Sequence, residues 1–246
     1  FRAGGKGIIR GPKNLLGVAY RHAPIAITVE GANLLTRALI IFGQGAVRCH
    51  PYVLAEMKAV AGHDERALGQ ALLGHGGHVL RNLWHSMAWA PVHGTPPAEL
   101  RREAAMVARL SAAFALTADL AMGLLGGKLK RLELLSARLG DVLSALYLAS
   151  AAVWRYQVEA DPKMLPFARA AIRVQLARGA DTLHELYANL PSGTLRLVAP
   201  LLLRGTRQRR PLKDRQVLEL ADLLRDDPAV IARLCPDLSM PRSGGL

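Results

Sequence analysis

The sequence predicts an all-α protein built as a helical bundle, and three observations support this prediction. Hydrophobic residues make up 51% of the 246 residues, enough for a sizeable core, while aromatic residues make up only 5% and Ala and Leu dominate. Apolar residues recur every three or four positions over long stretches, and no stretch keeps the period of two that is typical of a strand. Glycine and proline stand mainly between these stretches, where helices end.

Residues 1–22 are rich in glycine and are predicted to form a loop. After this loop, helices are predicted wherever apolar residues keep helical spacing between glycine and proline. The two longest, Pro97–Leu125 and Leu129–Val158, are expected to pack antiparallel across a turn at Gly126-Gly127. The other predicted helices are Gly31–Arg48, Pro51–Ala61, Asp64–Leu73, His78–Ala90, Met164–Leu190, Thr194–Leu203, Asp214–Arg225 and Pro228–Leu234.

The net charge of +13 is compatible with three kinds of partner: a nucleic acid, an anionic membrane surface or an acidic substrate. Much of the positive charge lies in one basic segment, Arg196–Arg215. We do not expect nucleic acid to bind there, because no aromatic residues are interleaved with the arginines. The apolar run Leu197–Leu203 favours contact with a membrane surface, and a solvated linker is the alternative interpretation.

The positions of the two cysteines indicate the cellular compartment, and the first residues indicate whether the chain is a fragment. Cys49 and Cys235 are far apart, which indicates a reducing compartment and a cytoplasmic protein, with peripheral contact at the inner membrane through the basic segment. The chain begins at Phe1 without an initiator Met or a signal peptide, and we expect a fragment or a chain whose earlier part is absent. No window reaches the ~18–20 uncharged residues of a membrane span.

Glu30 is the one charged residue in the stretch Ala23–Thr36. A carboxylate among apolar residues must be neutral, hydrogen-bonded or used in chemistry. Gly31 follows directly, so that a substrate or a neighbouring backbone can approach closely. This local pattern leaves two interpretations open: a catalytic carboxylate, or an ordinary first-turn acid that complements a helix dipole.

Several segments together resemble one family. The run G-G-K-G-I begins at Gly4, I-T-V-E-G-A-N-L-L-T-R spans Ile27–Arg37, and I-F-G-Q-G-A-V-R-C-H-P-Y-V-L begins at Ile41. They resemble the acyl-CoA dehydrogenases, in which a G-G-x-G loop precedes an E-G-x-x-x-x-x-R segment, and in particular the bacterial long-chain enzymes with an extra C-terminal helical region. The run S-A-R-L-G-D-V-L-S-A-L-Y-L-A-S at Ser136–Ser150 is similar to that extension. The resemblance reaches from residue 1 to about Tyr156.

The resemblance implies an FAD-dependent enzyme of fatty acid β-oxidation, which oxidises a medium- or long-chain fatty acyl-CoA to the trans-2-enoyl-CoA. In such an enzyme Glu30 would be the catalytic base, and Glu30 and Gly31 would contact the substrate. Gly4, Gly5 and Gly7 would lie against the pyrophosphate of FAD. The resemblance also implies a homo-oligomer that passes electrons to electron-transfer flavoprotein or a similar acceptor.

The same resemblance predicts how the chain is divided. Residues 1–62 would be the end of the catalytic helical domain, and residues 63–246 a C-terminal helical extension. Ala32 and Leu34 stand where relatives often have Thr and a polar residue near the flavin, so no flavin contact is assigned to them. The family's N-terminal helical and middle β domains are not in this chain, and turnover by the chain alone is not expected. The alternative from another class is a non-catalytic helical module that docks on a membrane surface or a partner protein.

No metal site is expected from the sequence. His75, His78 and His85 fall on one helical face together with Asn82, as metal ligands can. However, no cysteine or acid stands at ligand spacing, and Gly76-Gly77 interrupts the predicted helix.

Two further sets of polar residues have structural interpretations. Cys49-His50 has no partners nearby in the sequence, and Cys49 is predicted to be a buried thiol. Asp119 and Asp141 lie in apolar helices, where a carboxylate pair in the bundle core is one interpretation; we expect each instead to be a buried or half-buried partner of Arg138, Arg109 or Lys128.

Overall fold

The computed structural model describes residues 20–25, 44–88, 90–92, 94–204, 206 and 212–234. In this part of the chain every regular element is a helix and no residue lies in a strand, which confirms the predicted all-α fold. A short helix covers residues 20–25, so the predicted loop over residues 1–22 was wrong at its last three residues, and the rest of that loop lies outside the described residues. The α-helices after it are α1 Gly45–Arg48, α2 Val53–Ala61, α3 Glu65–Met87, α4 Arg101–Leu125, α5 Glu133–Glu159, α6 Leu165–Asn189, α7 Gly193–Leu202, α8 Asp214–Asp226 and α9 Pro228–Leu234.

Three long helices, α4, α5 and α6, form the core. Short 3₁₀ segments, Gly126–Arg131 and Pro162–Met164, connect them, so that α5 runs antiparallel to both of its neighbours. The predicted hairpin of α4 and α5 is therefore confirmed. Its turn begins at Gly126, whose φ of 49° lies in the left-handed region that favours glycine.

Regular apolar spacing explains why α5 packs along its whole length. Its buried positions follow one another at intervals of three, four and seven residues, the spacing that places side chains on one face of a helix. Each fully buried Leu contributes about 1.5–3 kcal/mol relative to an exposed one. These buried positions on α5 include Leu135, Leu139, Val142, Leu146, Ala149 and Tyr156.

One sequence prediction about the helices was wrong. The segments Asp64–Leu73 and His78–Ala90 were predicted as separate helices around three glycines, but α3 is continuous from Glu65 to Met87. A glycine inside a helix costs only about 1 kcal/mol relative to Ala, which tertiary packing can offset. At Gly74 the packing requires glycine, because a Cβ there would clash with the ring of Tyr52.

The C-terminal helices are held to the core by polar contacts. Arg155 of α5 donates a hydrogen bond of 2.6 Å to the backbone oxygen of Arg233 in α9. Asp161, between α5 and α6, forms an ion pair with the same Arg233. Lys163 lies 2.7 Å from Asp227, the residue that separates α8 from α9. The predicted bounds of α6 to α9 agree with the structure within two residues at each end.

Two described helical stretches, Ala98–Leu129 and Glu133–Glu159, are long and apolar enough to cross a membrane by length and composition alone. Half of the apolar window of each is buried inside the protein. The packing of α4 and α5 in the core therefore accounts for their apolar composition.

Candidate functional site

The residues predicted for catalysis and cofactor binding lie outside the described part of the chain. They are Gly4, Gly5, Gly7, Glu30 and Gly31, and their assignment stays a prediction. The described structure resumes at Gln44, where the segment that contains Glu30 leads into α1. Helix α1 and the residues after it are therefore the described residues that follow Glu30 most closely in the sequence.

A mostly apolar cleft of about 510 Å³ lies between α1, α4 and α5. Ala46 and Cys49 line it on one side, and Phe114 and Leu143 line it on the other. Cys49 is exposed, so the prediction of a buried thiol was wrong. The prediction rested on the usual burial of a free cysteine, whereas Cys49 stands between Arg48 and His50 and lines the cleft.

Next to this cleft, five polar side chains from four parts of the chain converge. We call them the polar cluster: His50, which precedes α2; Glu56 of α2; His75 and His78 of α3; and Asp119 of α4. The rings of His50 and His75 are 4.7 Å apart between centroids, and those of His50 and His78 are 5.4 Å apart. The cluster thus ties α2, α3 and α4 together beside the cleft.

His50 begins α2. Its Nδ1 accepts hydrogen bonds from the backbone N–H groups of Tyr52 and Val53, at 3.2 and 3.1 Å. These are among the amides that have no partner within the first turn of a helix, so the imidazole acts as an N-terminal cap. Because Nδ1 accepts, the proton of the neutral ring is on Nε2, which faces Asp119.

Asp119 is the buried carboxylate of the cluster, with 4% of its side chain exposed. Its Oδ1 lies 2.8 Å from His50 Nε2 and 3.5 Å from His75 Nε2. Among the described residues, however, neither carboxylate oxygen has a partner with hydrogen-bond angles. These short distances are therefore contacts between polar atoms and leave Asp119 without a directional hydrogen bond.

His75 and His78 differ in their surroundings. His75 Nδ1 donates to Glu56 Oε1 at 2.7 Å, so that its Nε2 is directed toward Asp119. Burial lowers the pKa of His78, an effect that Asp119 opposes and that nearby His50, Arg81 and His75 reinforce. At neutral pH His78 is therefore an uncharged imidazole with a lone pair.

The residues around the cluster match one protein family. A family model for the C-terminal region of bacterial-type acyl-CoA dehydrogenases matches residues 47–245, from the cluster to the end of the chain. This chain belongs to the acyl-CoA dehydrogenase family. No solved structure matches it.

The match confirms the resemblance to the acyl-CoA dehydrogenase family and extends it toward the C-terminus, while the motifs at Gly4–Ile8 and Ile27–Arg37 lie before the matched residues. The motifs predicted a resemblance that ends near Tyr156, whereas the match continues through α6 to α9. The predicted boundary between residues 62 and 63 stays a prediction. Helix α2 lies before it and α3 after it, and the two are linked by the contact between Glu56 and His75.

The predicted partners of Asp119 in this dehydrogenase chain were wrong. Arg109 donates instead to the backbone oxygens of Ser86 and Met87, at 2.9 and 2.6 Å, and so caps the C-terminal end of α3. Arg138 pairs with Glu185 at 3.7 Å. The prediction chose cations that are near Asp119 in the sequence, whereas its actual neighbours are tens of residues away.

Proposed function

We propose that this chain is part of an FAD-dependent acyl-CoA dehydrogenase that oxidises a medium- or long-chain fatty acyl-CoA to the trans-2-enoyl-CoA. The observation that carries the proposal is the order of two features. The Glu30-Gly31 motif precedes a region, 47–245, that belongs to the bacterial-type C-terminal part of these enzymes.

In the proposed reaction, Glu30 removes the proton on the carbon next to the thioester carbonyl. The backbone N–H of Glu30 donates to that carbonyl oxygen, which stabilises the negative charge that develops there. Gly31 adds no side chain, so the acyl chain can approach the carboxylate. When FAD is bound, it accepts the hydride that leaves the next carbon.

The fit of the chain to FAD rests on residue type. Gly4, Gly5 and Gly7 expose backbone N–H groups that can approach a pyrophosphate closely, as glycine-rich loops do. We propose electron-transfer flavoprotein or a similar protein as the electron acceptor, and a homo-oligomeric enzyme in the cytoplasm.

A flavin spectrum tests this proposal. We expect the parent enzyme, purified with the domains that precede this region in the family, to be yellow. Addition of a long-chain acyl-CoA under anaerobic conditions should bleach its flavin absorption. A parent enzyme that contains no flavin, or whose flavin is not bleached by any acyl-CoA, would contradict the proposal.

A second candidate function is docking on an anionic membrane surface. Two apolar residues of α7, Leu197 and Leu201, are 83% and 49% exposed, and they lie in the segment that leads into the arginines. An apolar helix face beside a basic run is the combination that binds a lipid interface. Arg109 holds this segment in place through the backbone oxygen of Arg204, at 2.8 Å.

Liposome flotation tests the second candidate. Replacement of Arg207, Arg209 and Arg210 by Gln should leave the helical content unchanged and weaken binding to anionic vesicles. The parent chain should also lose binding as salt rises, because the Debye length shrinks. Equal flotation of parent and variant would remove the membrane hypothesis, and vesicles of neutral lipid provide the control.

A further inference from the structure

The polar cluster contains a buried carboxyl group whose oxygens lack directional hydrogen bonds from the described residues. Asp119 is 8% exposed, and in the described part of the chain both of its carboxylate oxygens are without a hydrogen-bond partner of correct geometry. His50 Nε2 is in the same condition. Burying a carboxylate in this way is costly unless a cation compensates its charge.

The atoms around Asp119 have the spacing of metal ligands. One ligand atom each from His50, His78 and Asp119 lie within 4.8 Å of one another. His75 is not one of these three residues, but its Nε2 is 3.5 Å from Asp119 Oδ1. Zinc bonds of about 2.0–2.1 Å place tetrahedral ligand atoms roughly 3.3 Å apart, so small side-chain rotations would bring the four around one ion.

The surroundings also resemble those of a metal site. Glu56 accepts the Nδ1–H of His75 at 2.7 Å, which fixes the tautomer that directs the Nε2 lone pair toward Asp119. Three imidazole nitrogens and one carboxylate oxygen are typical ligands of zinc and similar ions, whereas magnesium and calcium are bound mainly by oxygen atoms.

We propose that His50, His75, His78 and Asp119 bind one divalent transition-metal ion, with Glu56 supporting His75 from outside the ligand shell. Coordination through His50 Nε2 moves the ring proton to Nδ1, so the bond to the ion takes the place of the hydrogen bonds that Nδ1 accepts from the amides of Tyr52 and Val53. At His78 the ion takes the place of the polar contact at one ring nitrogen, with Arg81 at Nδ1 (3.1 Å) or with Asn82 at Nε2 (2.8 Å), and the other nitrogen carries the proton. This site does not depend on the proposed dehydrogenase activity.

The role of the ion would be structural. His50 lies between α1 and α2, and Glu56 lies in α2. His75 and His78 belong to α3, and Asp119 belongs to α4. A single ion would fasten these parts of the chain to each other at the edge of the cleft. Metal binding of this kind contributes directly to folding free energy.

Metal titration of the full chain tests the proposal. After treatment with a chelator, the protein should bind one Zn²⁺ per chain by calorimetry, and Co²⁺ should give the visible absorption of a tetrahedral nitrogen–oxygen site. Zn²⁺ should raise the melting temperature. Asp119→Asn removes a ligand with little change in shape and should weaken Zn²⁺ binding at least about 10-fold, while Glu56→Gln should weaken it about 10–100-fold.

His63→Asn is the matched control, because it removes an exposed histidine outside the cluster at a position with φ of 53° that Asn tolerates. It should bind Zn²⁺ as the parent does. Circular dichroism establishes whether each variant is folded. If Asp119→Asn does not fold, the Zn²⁺ affinity of Glu56→Gln relative to the parent tests the proposal. Substoichiometric binding by the parent, or equal affinity in the parent, Glu56→Gln and the control, would overturn the proposal.

Discussion

At the scale of single residues, Gly179 lies where the three core helices meet. A Cβ added to this residue of α6 would lie 3.1 Å from Leu110 Cδ2 of α4 and 3.4 Å from the Cβ of Ala145 in α5. Leu110 and Ala145 are both 2% exposed, so neither has free space into which it can move. Glycine at this position is required by packing and not by backbone conformation.

We therefore expect Gly179→Leu to destabilise the protein by about 1–3 kcal/mol, the usual cost of overpacking a core. Gly69→Leu is the matched control, because Gly69 is an exposed residue of α3 with no atom within 4 Å of an added Cβ. There the better helix propensity of Leu should stabilise the protein by up to about 1 kcal/mol. Urea denaturation measures both changes, and equal effects at the two sites would contradict this account of the core.

The phenol of Tyr187 gives a prediction for alkaline pH. Its hydroxyl lies 3.1 Å from Thr117 Oγ1, which itself donates to the backbone oxygen of Ala113 at 2.6 Å, so Tyr187 is the donor in its bond with Thr117. Burial raises the pKa of Tyr187 above its ordinary value of about 10. Because the pKa of Tyr187 is higher in the folded state than in the unfolded state, its contribution to stability is complete at pH values below the unfolded-state pKa. The contribution is lost as the pH rises through the folded-state pKa.

Stability should accordingly fall as the pH passes above about 10, because the unfolded chain loses the Tyr187 proton first. Tyr187→Phe should cost about 0.5–1.5 kcal/mol at neutral pH, since the hydrogen bond is lost. It should also make the decline at high pH shallower. Denaturant midpoints measured across this pH range test both statements, and an unchanged slope in the variant would show that Tyr187 is not the group responsible.

At the scale of elements, one ion pair sets the alignment of α4 and α6. Glu103, in the first turn of α4, is 2% exposed and accepts a hydrogen bond of 2.8 Å from Arg173 of α6. Arg169 of the same helix lies 3.8 Å from the same oxygen. Together with the contact between Thr117 and Tyr187, this pair shows that α4 and α6 run parallel.

Glu103→Ala should destabilise the protein by about 1–3 kcal/mol. This is less than the ~3–5 kcal/mol expected for breaking a fully buried pair, because Arg173 keeps partial access to water. Glu219→Ala is the control, since Glu219 forms an exposed pair with Arg215 at 2.8 Å on α8 and should contribute about 0.5 kcal/mol or less. Thermal unfolding of both variants measures the difference, and equal losses would contradict the alignment described here.

The long helices could be predicted from the sequence because their apolar spacing is a local property. The ends of α6 to α9 followed from proline and glycine for the same reason. The continuity of α3 could not be predicted, since the packing of Tyr52 on Gly74 involves residues far apart in the chain. The same limit applies to the polar cluster: the histidine row was visible in α3, but its carboxylates, Glu56 and Asp119, come from two other helices.

At the scale of the whole molecule, a helical region that belongs to the acyl-CoA dehydrogenases follows the Glu30-Gly31 motif. The described helices explain how the C-terminal region folds, and their family membership covers residues 47–245. The proposed chemistry depends on Glu30, which stands in an apolar stretch before α1. The central claim is therefore that Glu30 accepts the substrate proton.

Stopped-flow measurement of flavin bleaching in the parent enzyme tests this claim most directly. Glu30→Gln keeps the shape and hydrogen bonding of the side chain but cannot accept a proton. We expect it to leave flavin and acyl-CoA binding nearly intact and to slow flavin reduction by at least ~10², the usual scale for loss of a general base. Glu30→Asp should give an intermediate rate, because its carboxylate is drawn back by one methylene. Flavin reduction at near the parental rate in Glu30→Gln would contradict the account and leave Glu30 as a helix-start acid.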